Sequence, residues 1–93
     1  MKVLITWEIH EGKLADTLAL FAKMTKKQEQ ALMGKKLKLI GRWHDLVRGT
    51  GVAVYETDSV EAISAYSLKW SEHMDLDISL VLDDEETKAL GKK

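Results

Sequence analysis

Few residues in this sequence can do chemistry: three histidines, the carboxylates near them, two arginines and two tyrosines. Glu8, His10, Arg42, His44 and Tyr55 are the sharpest candidates. A histidine near a carboxylate and an arginine can bind an anionic small molecule or move a proton. Trp43, between Arg42 and His44, is the tryptophan expected to touch such a ligand. The preferred alternative is a satisfied network, for instance Glu8 to Arg42 across neighbouring strands, sealing a contact between two copies of the chain.

Other chemistry has weaker support. With no cysteine there is no thiol nucleophile, thiolate metal site or disulfide, which suits a reducing cytoplasm. His10, His44, His73, Glu8 and Asp45 show no local metal-ligand spacing, so neither metal nor cofactor is expected. No serine sits in a Gly-x-Ser-x-Gly elbow. Trp7 and Trp70 fall at strand and helix periodicity and read as core, and His73 reads as a partner for a helix C-terminus. Lys23, Lys26, Lys27, Lys35, Lys36 and Lys38 read as a solvated surface, interrupted by Glu29. Fourteen basic against fifteen acidic residues offer no field for nucleic acid or anionic lipid. No stretch approaches the ~18 apolar residues of a membrane span, so a cytoplasmic protein is expected.

The elements that must position these residues follow from periodicity. Ninety-three residues suggest one domain over positions 1–93, marginal alone and helped by pairing with a copy of itself. Val3 to His10 alternates as a strand. Leu14, Leu18, Phe21 and Ala22 form a helical stripe; that helix ends near Met24 or runs to Leu32 and stops at Gly34. Leu37–Leu46 and Gly51–Thr57 read as a hairpin around Gly49. Asp58 and Glu61, at capping-box spacing, open a second helix with Val60, Ile63, Tyr66 and Trp70 on one stripe. Leu76 to Leu82 alternates as a fourth strand, and Asp83–Gly91 is a short helix with an acidic start. The order β-α-β-β-α-β plus a terminal helix is the α+β, ferredoxin-like arrangement, an antiparallel four-stranded sheet with helices on one face.

Parity then assigns the faces. Val3, Ile5, Trp7, Ile9, Leu37, Leu39, Trp43, Val52, Val54 and the leucines and isoleucine of the last strand should pack on the helices. The opposite face should collect Leu4, Thr6, Glu8, His10, Ile40, Arg42, His44, Ala53, Tyr55, Thr57, Ser79 and Val81, a mixture suited to a cleft or a dimer surface. A bulge at Gly41 would exchange Trp43 with Arg42 and His44.

The segments TWEIHEGK, LIGRWHDL, VYETDSVEAISAY and DLDISLVLDDEE resemble a family of small bacterial proteins known only as a domain of unknown function, within the dimeric α+β barrel superfamily. The resemblance covers nearly the whole chain, least well from Met24 to Lys36. It implies a homodimer whose sheets pack face to face, with a space between each sheet and its helices. It implies no established reaction. The superfamily includes cofactor-free monooxygenases, haem-handling proteins, stress-response barrels and ligand sensors, so fold alone leaves the function open. Three expectations follow: a homodimer binding a small anionic or aromatic molecule; a cofactor-independent monooxygenase or isomerase with His10 or His44 as base; or a purely structural dimer.

Overall fold

A computed structural model describes residues 1–93. In order along the chain stand β1 (Lys2–Ile9), α1 (Leu14–Lys23), α2 (Lys26–Met33), β2 (Lys38–Asp45), β3 (Thr50–Glu56), α3 (Val60–Trp70), β4 (Met74–Val81) and α4 (Asp84–Gly91). The strands form one antiparallel sheet in the order β2-β3-β1-β4, the expected ferredoxin-like topology. No helix is long and apolar enough to cross a membrane.

The helical stretch after Gly12 is two helices. Its break has a local cause: the Thr25 side chain accepts a hydrogen bond from the Gln28 backbone N–H, and the Gln28 side chain accepts one from Thr25 N, a capping box that starts α2 afresh. Gly34 ends α2 at φ 81°, a left-handed conformation suited to glycine. At α3 the cap is Ser59, whose hydroxyl accepts from Ala62 N at 3.0 Å, and not Asp58 with Glu61. The fully exposed Asp58 carboxylate pairs instead with the N-terminal amine at 3.5 Å. Asp83 and Glu86 form the capping box of α4.

Register decides the faces. Directly opposed residues in antiparallel strands share a face, so the rows Leu39–Tyr55–Val3–Leu80, Arg42–Ala53–Ile5–Ile78 and His44–Gly51–Trp7–Leu76 lie together beneath the helices. Val3, Ile5, Ala53 and Tyr55 in these rows are buried in the main core with Ile63, Tyr66, Trp70 and Met74. The open face carries the rows Gly41–Val54–Leu4–Ser79 and Trp43–Val52–Thr6–Asp77.

Parity therefore fails for β3: Ala53 and Tyr55 point to the helices, Val52 and Val54 away. The strand is apolar on both faces and carries no alternation to read. In β2 the register slips between Leu39 and Gly41, leaving Ile40 as the extra residue of a bulge. Beyond the bulge Arg42 and His44 sit on the helix face, and Trp43 stands on the open face, 61% exposed. Gly41 lets this happen: a Cβ there would lie 2.4 Å from Trp43 Cη2, so the indole lies flat over its backbone.

Candidate functional site

Small residues in the middle of large rows leave a space between sheet and helices. Ala53 lies between Arg42 and Ile5, and Gly51 between His44 and Trp7. Above them α1 brings Thr17, Leu18 and Phe21, and α3 brings Tyr66 and Trp70. Together they enclose a cavity of about 70 Å³. One water needs about 10–15 Å³, so the space exceeds a packing fault. Among the residues lining it, His44, Asp45 and Leu46 are exposed while Tyr55, Tyr66 and Trp70 are buried. The mouth is therefore at the β2–β3 hairpin and the blind end is beneath α3.

A polar network occupies the wall. The Arg42 guanidinium donates Nη1–H to Glu29 Oε1 on α2, and Nη2–H to Tyr55 Oη at 2.9 Å and to Tyr66 Oη at 3.4 Å. Tyr55 donates its hydroxyl to Tyr66 at 3.3 Å, ring edge to ring face. The Phe21 ring covers the guanidinium carbon at 5.4 Å. Burial works hardest to lower the Arg42 pKa, but its bonds to Tyr55 and Glu29 outweigh it and keep the guanidinium charged at any physiological pH. Burial, reinforced by Tyr55, pushes the Tyr66 hydroxyl well above its ordinary range, so it stays protonated and able to donate.

His44 stands at the mouth, its imidazole 5.5 Å from the Trp7 ring and 5.3 Å from Phe21. Burial first, and then the charge of Arg42, hold it below its ordinary value of 6.5. Its neutral form is favoured by folding. As pH falls below 6.5 the unfolded chain takes up the proton first, so the contribution is complete above that value and is lost as pH falls through the lower folded value. The thermal midpoint is expected to drop between ~pH 7 and ~pH 5, with a flatter slope in His44→Gln. Equal slopes in the two proteins would remove His44 from the account.

Of the residues singled out from sequence, Arg42, His44 and Tyr55 come together in this cavity. Glu8 and Trp43 are exposed on the open face, and His10, beyond the end of β1, pairs through Nε2 with Asp75 Oδ1 at 3.0 Å. The Glu8–Arg42 pair does not form: β3 lies between β1 and β2, and Arg42 has Glu29 instead. No three acidic or histidine side chains gather as metal ligands. Phe21, Tyr66, Trp70 and Thr17 line the cavity, with Glu29 behind Arg42 and outside the lining, and none of the five was anticipated as a site residue. For Phe21, Tyr66 and Trp70 a signal existed, since their helical stripes face the sheet. Thr17 Oγ1 and Trp70 Nε1 are buried without a hydrogen-bond partner.

Comparison with known proteins agrees with this architecture. A NIPSNAP family protein from Agrobacterium tumefaciens str. C58 superposes with a TM-score of 0.51 at 14% identity, over 90% of this chain and 96% of that one. At that identity the likeness concerns the fold alone. An uncharacterised NIPSNAP domain protein from Burkholderia xenovorans gives 0.49 at 14% identity, over 90% of this chain and 97% of that one. No curated protein matches. Residues 1–93 fit the family model described as "Domain of unknown function (DUF3303)", in keeping with the resemblance read from its motifs, and the chain belongs to that family.

Proposed function

We propose that this protein binds a small, largely apolar molecule in the cavity between its sheet and helices. The observation that carries the reading is a cavity walled by Trp7, Phe21, Leu18, Met74 and Leu76, with Thr17 and Trp70 also in its lining, each of which carries a buried polar atom with no partner in the fold. Each such atom costs roughly 1–3 kcal/mol if left unpaired, so something in the space is expected to meet them. An apolar cavity of ~150 Å³ is needed to enclose benzene. At about 70 Å³ this one holds a small ring only partly, or one end of a longer molecule whose remainder lies at the mouth near His44 and Leu46.

The test is a titration of ¹⁵N-labelled protein with cyclopentanone and methylcyclopentane. Saturable shifts are expected at the indole N–H groups of Trp7 and Trp70, with Trp43 unmoved on the other face. Ala53→Leu, which fills the cavity floor, should weaken binding at least about tenfold. Absence of any saturable shift overturns the reading. An enzymatic version has one specific support: a neutral His44 imidazole in the cavity wall is available as a base, whereas His10 is outside it. Turnover lost in His44→Ala with binding retained would separate enzyme from binder.

The second part of the proposal is self-association through the open sheet face. Leu4, Val52, Val54 and Trp43 share that face, the first three half-buried and Trp43 exposed. Four strands ~4.8 Å apart and eight residues at ~3.3 Å each give a platform of roughly 500 Å² in projection, before side-chain relief is added. That approaches the ~800 Å² per partner of a standard interface. Leu4→Glu is expected to turn a sedimenting dimer into a monomer at micromolar concentration, while Val47→Glu, at a hairpin position 96% exposed, should not. A monomeric parent protein would refute it.

A further inference from the structure

The blind end of the cavity holds donors with no acceptor, and those donors select a ligand. Arg42 spends its donors on Glu29, Tyr55 and Tyr66, and Tyr55 spends its own on Tyr66. Tyr66 Oη thus accepts twice while its own hydrogen has no acceptor in the fold. The buried Trp70 indole N–H has no partner at full hydrogen-bond distance and lies close to the Tyr66 hydroxyl, and the buried Thr17 hydroxyl, able to donate and accept, is also unpaired. Two carboxylates stand near these donors, Asp45 in the wall and Glu29 behind Arg42. Glu29 is taken by Arg42, and Asp45, at the mouth, accepts from the Arg48 backbone N–H at 3.1 Å. An indole N–H can only donate, and a phenol already accepting twice can only offer its hydrogen.

Charge narrows the class further. Glu29, behind Arg42, cancels the charge that Arg42 brings to the wall. A carboxylate entering the blind end would have to displace Glu29 or remain an uncompensated buried anion. An ammonium group would meet a guanidinium and a row of donors. We infer that the ligand is an uncharged molecule that enters carbonyl-first, its oxygen accepting from Tyr66 and Trp70 beneath α3 and its apolar body lying against Phe21, Trp7 and Leu18. This rests on the cavity being a binding site, as proposed above.

A matched series decides it: cyclopentanone, methylcyclopentane, cyclopentanecarboxylate and cyclopentylamine, each titrated into the labelled protein. The ketone is expected to bind about tenfold more tightly than the hydrocarbon, the worth of one well-made hydrogen bond, and to move the Trp70 indole proton downfield. Tyr66→Phe should weaken the ketone several-fold and leave the hydrocarbon unchanged; that unchanged affinity also verifies that the variant's cavity is intact. If the hydrocarbon, carboxylate or amine binds as tightly as the ketone, the carbonyl inference is overturned while the cavity reading survives. If none of the four produces a saturable shift, both fail.

Discussion

Arg42→Ala is expected to destabilise the protein by about 2–4 kcal/mol, because it removes one partner of a largely desolvated ion pair and strands the others. The Arg42 side chain is 11% exposed and Glu29 23%, so neither is fully withdrawn from water and the loss falls toward the lower part of the range for buried pairs. Glu29 and Tyr55 are left without their donor, and Tyr66 keeps only the one from Tyr55. Phe21 loses the cation beneath its ring. For a domain of this size each kcal/mol lowers the melting temperature by roughly 4–8 °C, so a fall of about 10–25 °C should be seen by calorimetry. The double variant Arg42→Met, Glu29→Leu should recover much of this, since it removes both charges and keeps the volume. A loss below about 1 kcal/mol for Arg42→Ala would mean that the pair is solvated and does not order the wall.

The same residue shows how far the sequence could be read. Every strand and three of the four helices were legible because glycines and polar breaks punctuate clear periodicities, and Val3, Ile5 and Trp7 fell on the correct face because β1 alternates sharply; α2 was not, since the run after Gly12 read as one helix and the capping box at Thr25 splits it. The faces of β2 and β3 were not legible for two different reasons. In β3 both parities are apolar, Val52 and Val54 against Ala53 and Tyr55, so only pairing with β1 distinguishes them. In β2 one extra residue, Ile40, inverts everything that follows, and Gly41 announces the place but not the event. That inversion brings Arg42 and His44 from the open face to the cavity while Trp43 leaves it. Glu29 carried no signal at all: in a lysine-rich run a glutamate looks like a solvated charge, and only the docking of α2 against β2 turns it toward Arg42. Site residues supplied by two or three elements depend on register, which local periodicity does not encode. Glu8, His10 and Trp43 were the candidates the fold kept apart from the cavity that holds Arg42.

Trp70 gives the second large effect, and its two substitutions are expected to diverge. Trp70→Ala removes a buried indole that packs in the core at the end of α3 and stacks obliquely on His73, so about 3–5 kcal/mol should be lost. Trp70→Phe keeps an aromatic ring there and deletes the unpaired indole N–H. The missing ring costs some packing, but the removal of an unsatisfied donor offsets it, and the net change should lie within about 1 kcal/mol. Urea denaturation of both variants measures the contrast, with unchanged m-values showing that the unfolded states are comparable. The phenylalanine variant then acts as a probe of purpose. A donor retained for a ligand makes the protein no less stable when it is lost, yet lowers affinity for the ketone severalfold. A donor retained for the fold, through an ordered water bridging it to Tyr66 or Thr17, makes Trp70→Phe cost well above 1 kcal/mol and leaves ketone binding as it was. The two measurements move in opposite directions, so together they assign the indole to the fold or to the molecule it holds.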